Sequence, residues 1–137
     1  MTPDEKDLKV AHDIFFDASN QMFTGELTLM KEVWSHGDDV IYMGPGGGYQ
    51  VGWNAVLKDW EAQAAAKFGG KITTTDVHLA AYSSLGYIHS VETGENTNVE
   101  GHTEHVSIRA TKIFRKEEGK WKLISLHTDL LPYVPNV

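Results

Sequence analysis

Residues Ser107 to Asp129 read as two alternating strands around Glu117-Glu118-Gly119, and this hairpin constrains the fold more than any other segment. A three-residue loop ending in a left-handed Gly turns antiparallel strands. It sets Lys116 opposite Lys120 and pairs Ile113 with Leu123, Thr111 with Ser125, Arg109 with His127 and Ser107 with Asp129, all on one face. That face grades from apolar to ionisable and is the expected floor of a pocket. The other face carries Ile108, Ala110, Phe114, Ile124 and Leu126, with Lys112 and Lys122 nearer the turn. Because neither face is plainly polar, helices are expected over one and a second subunit over the other. The hairpin therefore predicts a homodimer through the outer sheet face, with Leu126 at the interface. A slip of one residue in the loop would decouple the two strands' faces.

The 137 residues make a single expected domain, 1–137, and 41% hydrophobic content is enough for a real core. A net charge of −7, with 12 scattered Lys and Arg, argues against nucleic acid as a partner. The absence of cysteine excludes disulfides, thiolate metal sites and Cys nucleophiles. The acidic N-terminus lacks a signal-peptide core and no stretch reaches the ~20 apolar residues of a membrane helix. No membrane partner is expected, and a cytoplasmic protein is the default.

Thr2-Pro3-Asp4-Glu5 is a capping box, followed by Leu8, Ala11, Phe15, Ala18 and Met22 at helical spacing. Gly25 ends that helix. Leu27, Met30 and Trp34 mark a short second one, Val40 to Met43 a brief strand, and Gly44-Pro45-Gly46-Gly47-Gly48 a loop. Trp53, Val56, Leu57, Trp60 and Ala64 then stripe a third helix, stopped by Phe68-Gly69-Gly70. Beyond it the chain is all strand. Lys71 to Tyr82 changes parity near Asp76, which predicts a bulge, Tyr87 to Thr93 follows, and a loop is expected from Gly94 to Gly101. The order α-α-β-α-β-β-β-β gives an α+β fold: a curved antiparallel β-sheet with three N-terminal-half helices packed on its concave face and a cone-shaped pocket between.

The element order and the runs D-D-V-I-Y-M-G-P, S-V-E-T-G, S-I-R-A-T-K-I-F-R-K-E-E-G-K-W and L-I-S-L-H-T-D-L-L-P resemble the SnoaL-like branch of the nuclear transport factor 2-like superfamily over nearly the whole chain. The resemblance implies the cystatin-like α+β barrel and a pocket used by isomerases, hydratases, cyclases, ligand binders and association domains alike. It also singles out Glu92 in S-V-E-T-G. The ketosteroid isomerase mechanism is disfavoured, because by this resemblance Gly44, Ala18 or a neighbour, and Thr111 stand where its base, tyrosine and protonated aspartate would be.

His127 and Asp129 share a strand face, and a carboxylate beside an imidazole raises its basicity. Arg109 across the pair suits an anionic substrate group or an oxyanion. These three are the candidate catalytic residues; a buried ion pair with a space-filling His is the structural alternative. Trp34, Tyr42, Trp53 and Trp60 are the expected aromatic wall, with Glu92, Thr111 and Ser125 completing the ligand pocket. Strict alternation lets only one of His89 and Glu92 face inward, and the resemblance favours Glu92. The Gly44–Gly48 run lacks the Lys-Ser/Thr of a phosphate loop. His102 and His105 fall on opposite strand faces, so neither metal nor cofactor is expected. The chain reads as a small-molecule-binding protein. One alternative is an isomerase, hydratase or cyclase using His127 as general acid/base on a small carbonyl or acid; another is an association module.

Overall fold

The structure is a computed structural model that describes residues 1–97 and 100–131. Helix α1 (Pro3–Met22) starts as the capping box dictates: Glu5 N donates to Thr2 Oγ1 and Thr2 N donates to Glu5 Oε1, both at 3.1 Å. Its inward stripe buries Leu8, Phe15 and Met22 together with the polar His12 and Ser19. Helix α2 (Thr28–Val33) contributes Met30 and Val33 to the core. Strand β1 (Ile41–Met43) is followed by a second, unforeseen strand, β2 (Gln50–Val51), which pairs antiparallel with it. Helix α3 (Trp53–Ala66) buries Val56, Trp60 and Ala64 and stops at a left-handed Lys67.

Strands β3 (Lys71–Ala81), β4 (Leu85–Thr97), β5 (Thr103–Glu117) and β6 (Lys120–Leu130) complete one unclosed six-stranded sheet ordered β2-β1-β6-β5-β4-β3. The pairings are antiparallel except β1 with β6, which is parallel. The bulge expected near Asp76 is present: the β3–β4 register shifts between Thr75 and His78, and Asp76 has a φ of 53°. Strand β4 runs farther than its sequence implies, taking in Gly94 to Thr97 of the expected loop; residues 98 and 99 of that loop lie outside those described. Gly94 is the device that permits this. A Cβ there would stand 2.1 Å from Lys71 O, so the strands approach to a distance only glycine tolerates.

The final hairpin departs from expectation in register. Glu118 and Gly119, with φ of 52° and 78°, form a two-residue loop, and Glu117 pairs with Lys120. A bulge after Ile113 then shifts the ladder again, so Arg109 faces Asp129 and Thr111 faces His127. Leu123, expected beside Ile113, instead pairs with Phe114, and both are fully buried. The helices cover the Ile108, Ala110, Phe114 and Leu126 face. Leu126 is a core residue and not an interface residue, which corrects the assignment of inner and outer faces. No helix among the described residues is long and apolar enough to cross a membrane.

Candidate functional site

Alternation along three neighbouring strands decides what lies beneath the helices. Strand β4 buries Ile88, Ser90 and Glu92, β5 buries Ile108, Ala110, Lys112 and Phe114, and β6 buries Leu126 and Thr128. Two opposite charges thus sit on an otherwise apolar face. Lys112 Nζ is 2.8 Å from Glu92 Oε1, 2.8 Å from His12 Nε2 and 3.1 Å from Ser90 Oγ, and it lies over the Phe15 and Phe16 rings at 5.1 and 4.6 Å. The contact to Glu92 is an ion pair whose angle lies outside hydrogen-bond geometry. Burial pushes the Lys112 pKa down and the Glu92 carboxylate pulls it back up. His12 is held neutral, its pKa lowered to about 3 by burial and then by the charge of Lys112. Its Nε2 accepts from the ammonium group.

Beside this cluster is a cavity of about 230 Å³. Phe15, Met22, Trp60, Ile72, Ile108 and Leu126 give it apolar walls, and Ser19, Tyr42, Gln63, Glu92 and Thr128 supply its polar groups. Two of those are already committed: Ser19 Oγ donates to Phe15 O and Thr128 Oγ1 to Met43 O, each at 3.0 Å. Gln63 Nε2 donates at 2.9 Å to both the Tyr42 hydroxyl oxygen and Asp59 Oδ1. Tyr42 therefore accepts from Gln63 and keeps its own proton to give. Its ring stacks on Trp60 at 4.5 Å and 6°. Burial holds the phenol pKa well above its ordinary value, with Asp59 and Glu92 adding to the effect. Among the described residues, Trp60 Nε1 and Glu92 Oε1 are the fully buried side-chain atoms of this cavity without a hydrogen-bond partner, and no described residue bonds the Tyr42 proton or Glu92 Oε2.

Of the residues singled out from sequence, the fold brings Tyr42, Trp60 and Glu92 to the cavity. Trp34 is buried behind them, its ring centroid 6.0 Å from that of Tyr42 and 6.5 Å from that of Trp60. Trp53 stacks on His36 at 4.2 Å, away from the cavity. Arg109, Thr111, His127 and Asp129 do not close the cone. They share a shallow depression on the opposite sheet face with Asp76 and His89. Ser125 lies beside the β6 bulge, pairs with Ile113 and does not line the cavity. His127 Nε2 and Asp129 Oδ2 are 3.1 Å apart, as their spacing implied, but their side chains are 51% and 70% exposed. The helices seat on the face richer in bulky aliphatic groups, leaving the ionisable set outside. His89 joins that outer set, 3.2 Å from Thr111 Oγ1. Sequence reasoning passed over Lys112, His12 and Gln63. The signal for Lys112 was present: it alternates with Ala110 and Phe114, a charge in a core position.

Several solved structures share this architecture. A candidate dehydratase of the nuclear transport factor 2-like family from Streptomyces avermitilis superposes with a TM-score of 0.83 at 21% identity, over 95% of this chain and 99% of that one. A ketosteroid isomerase-like protein from Erwinia carotovora atroseptica gives 0.80 at 17% identity, over 97% and 100% of the two chains. A candidate calcium/calmodulin-dependent protein kinase type II association domain from Thiobacillus denitrificans gives 0.76 at 22%, over 90% and 94%. At these identities the likeness is one of fold. No curated protein matches the chain. Residues 14–131, which include every residue lining the cavity, match the family described as the SnoaL-like domain. The chain belongs to the SnoaL-like domain family.

Proposed function

We propose that this protein binds a compact, mainly apolar organic molecule inside the cone. The observation that carries the proposal is the 230 Å³ cavity whose apolar wall is broken by the buried Tyr42 hydroxyl and Glu92 carboxylate. A dry cavity of about 150 Å³ already takes benzene and drug-sized sites start at about 300 Å³. The volume therefore fits one ring, or two small fused ones. Native mass spectrometry of protein purified from its own host tests this. Wild type should carry a small molecule that Ile108→Trp, which fills the cavity, releases. Retention of the same ligand by the variant places it elsewhere and overturns the proposal.

Glu92 also favours a second reading, an enzyme of isomerase or dehydratase type. A carboxylate at the cavity wall with one oxygen held by Lys112 is placed to move a proton. The names of the Streptomyces and Erwinia relatives agree with that class. Glu92→Gln should then abolish turnover of the co-purified compound, while His127→Gln on the outer face leaves it intact; the reverse result returns the chemistry to the Arg109, His127 and Asp129 group. The homodimer stays part of the proposal in corrected form. The outer face, with Tyr87, Val91 and Ile113, is covered by no other described part of this chain, so Ile113→Lys is the variant expected to sediment as a monomer, in place of Leu126→Lys.

A further inference from the structure

We infer that the cavity selects an uncharged ligand bearing both a hydrogen-bond acceptor, for Tyr42, and a donor, for Glu92, and that it rejects carboxylates. The inference rests on the binding reading above and names the ligand class of that site.

The directions of the two hydrogen bonds follow from what each group already does. The Tyr42 oxygen accepts from Gln63 Nε2 at 2.9 Å, and Gln63 is itself held by Asp59 at 2.9 Å, so the phenol proton is left to donate. Glu92 turns Oε1 to Lys112, no described residue bonds its Oε2, and an ionised carboxylate only accepts. A ligand that satisfies both must present a carbonyl or ether oxygen to one and a hydroxyl or amine hydrogen to the other.

The charge balance decides the rest. Among the described residues, Glu92 is the only charged side chain lining the cavity. Lys112 neutralises it from behind, and the lysine's own contacts are taken by Glu92, His12 and Ser90. Among the described residues lining the cavity, no cation is left to receive an anion. A carboxylate entering would shed its water beside the Glu92 charge with only neutral donors such as the Tyr42 hydroxyl in exchange. The Arg109 guanidinium, which sequence reasoning offered for an anionic group, lies on the other face of the sheet.

Calorimetric titration of the wild-type protein near pH 6.5 with four probes of one ring size tests the inference. The probes are 4-hydroxyacetophenone, acetophenone, ethylbenzene and 4-hydroxybenzoate. The hydroxyketone should bind about tenfold tighter than acetophenone, which lacks the donor, and about a hundredfold tighter than the hydrocarbon, each hydrogen bond counting roughly tenfold. The hydroxybenzoate should bind more weakly than acetophenone. In Glu92→Gln the site gains net positive charge from Lys112, so hydroxybenzoate should overtake the hydroxyketone. Should that variant fail to fold, Tyr42→Phe serves, with both ketones weakened about tenfold and ethylbenzene unchanged. Equal affinity for ethylbenzene and the hydroxyketone overturns the polar recognition while the cavity reading stands. Tight hydroxybenzoate binding to wild type overturns the charge argument alone, and failure of all four probes removes the binding reading and this inference together.

Discussion

Lys112 Nζ meets Glu92 Oε1 at 2.8 Å with the two side chains 0% and 5% exposed, an ion pair sealed inside the core beside the cavity. Sealing it costs several kcal/mol of desolvation per ion. The contacts to His12, Ser90 and two aromatic rings offset part of that cost. A pair held this way is weak as a stabiliser, but it fixes the charge and orientation of the carboxylate at the cavity.

Removing one partner should hurt more than removing both. Lys112→Met strands the Glu92 charge and should cost about 3–5 kcal/mol, whereas Lys112→Met with Glu92→Leu should recover most of it. Urea denaturation of the three chains measures the coupling. A single Lys112→Met within about 1 kcal/mol of wild type would contradict a buried charged pair.

His12 gives stability a pH dependence of definite sign. In the folded state the ring takes a proton only below about 3, against an ordinary value of 6.5, so the unfolded chain binds more protons between those limits. Its contribution is complete above 6.5 and is lost as pH falls toward 3, at no more than about 1.4 kcal/mol per pH unit. His12→Gln keeps an acceptor for Lys112 without titrating. Its denaturation midpoint, followed from neutral pH downward, should fall less steeply than that of wild type; parallel curves would show that His12 is not held neutral.

Gly94→Ala should be strongly destabilising, by about 2 kcal/mol or more, because its Cβ would overlap Lys71 O and Ile72 Cα across the β3–β4 pair. Amide exchange should rise first around Lys71 and Ile72. A variant with wild-type exchange there would mean that the strands separate freely at this point.

On the outer face, Arg109→Ala and His127→Gln should each change ligand affinity less than twofold, since the sheet separates them from the cavity. Calorimetry with 4-hydroxyacetophenone reads this directly. A tenfold loss in either would move the binding site to the convex side.

Much of the scaffold was legible in the chain, because short-range chemistry writes it. Thr2 and Glu5 announce the first helix, and the change of parity around Asp76 announces the bulge that bends the sheet. The hairpin was legible only in part. A loop one residue shorter than expected and a bulge after Ile113 move the pairing by two positions in all, which leaves Arg109, His127 and Asp129 on one face but turns Leu123 into the core. Which face the helices cover is a tertiary choice. Ile108, Ala110, Phe114 and Leu126 settle it by burial, and Lys112 follows them inward because Glu92 waits on the next strand. Reading ionisable residues as pocket residues therefore found Glu92 at the cavity, while Arg109, His127 and Asp129 lie on the other face of the sheet.

The central claim is that the ligand lies between the helices and the inner sheet face, against Tyr42 and Glu92. The most direct test is amide chemical-shift mapping on titration with 4-hydroxyacetophenone. The expected result is saturable shifts at Ser19, Tyr42, Glu92 and Thr128 with Arg109, Thr111 and His127 still; shifts confined to that second group would contradict the account.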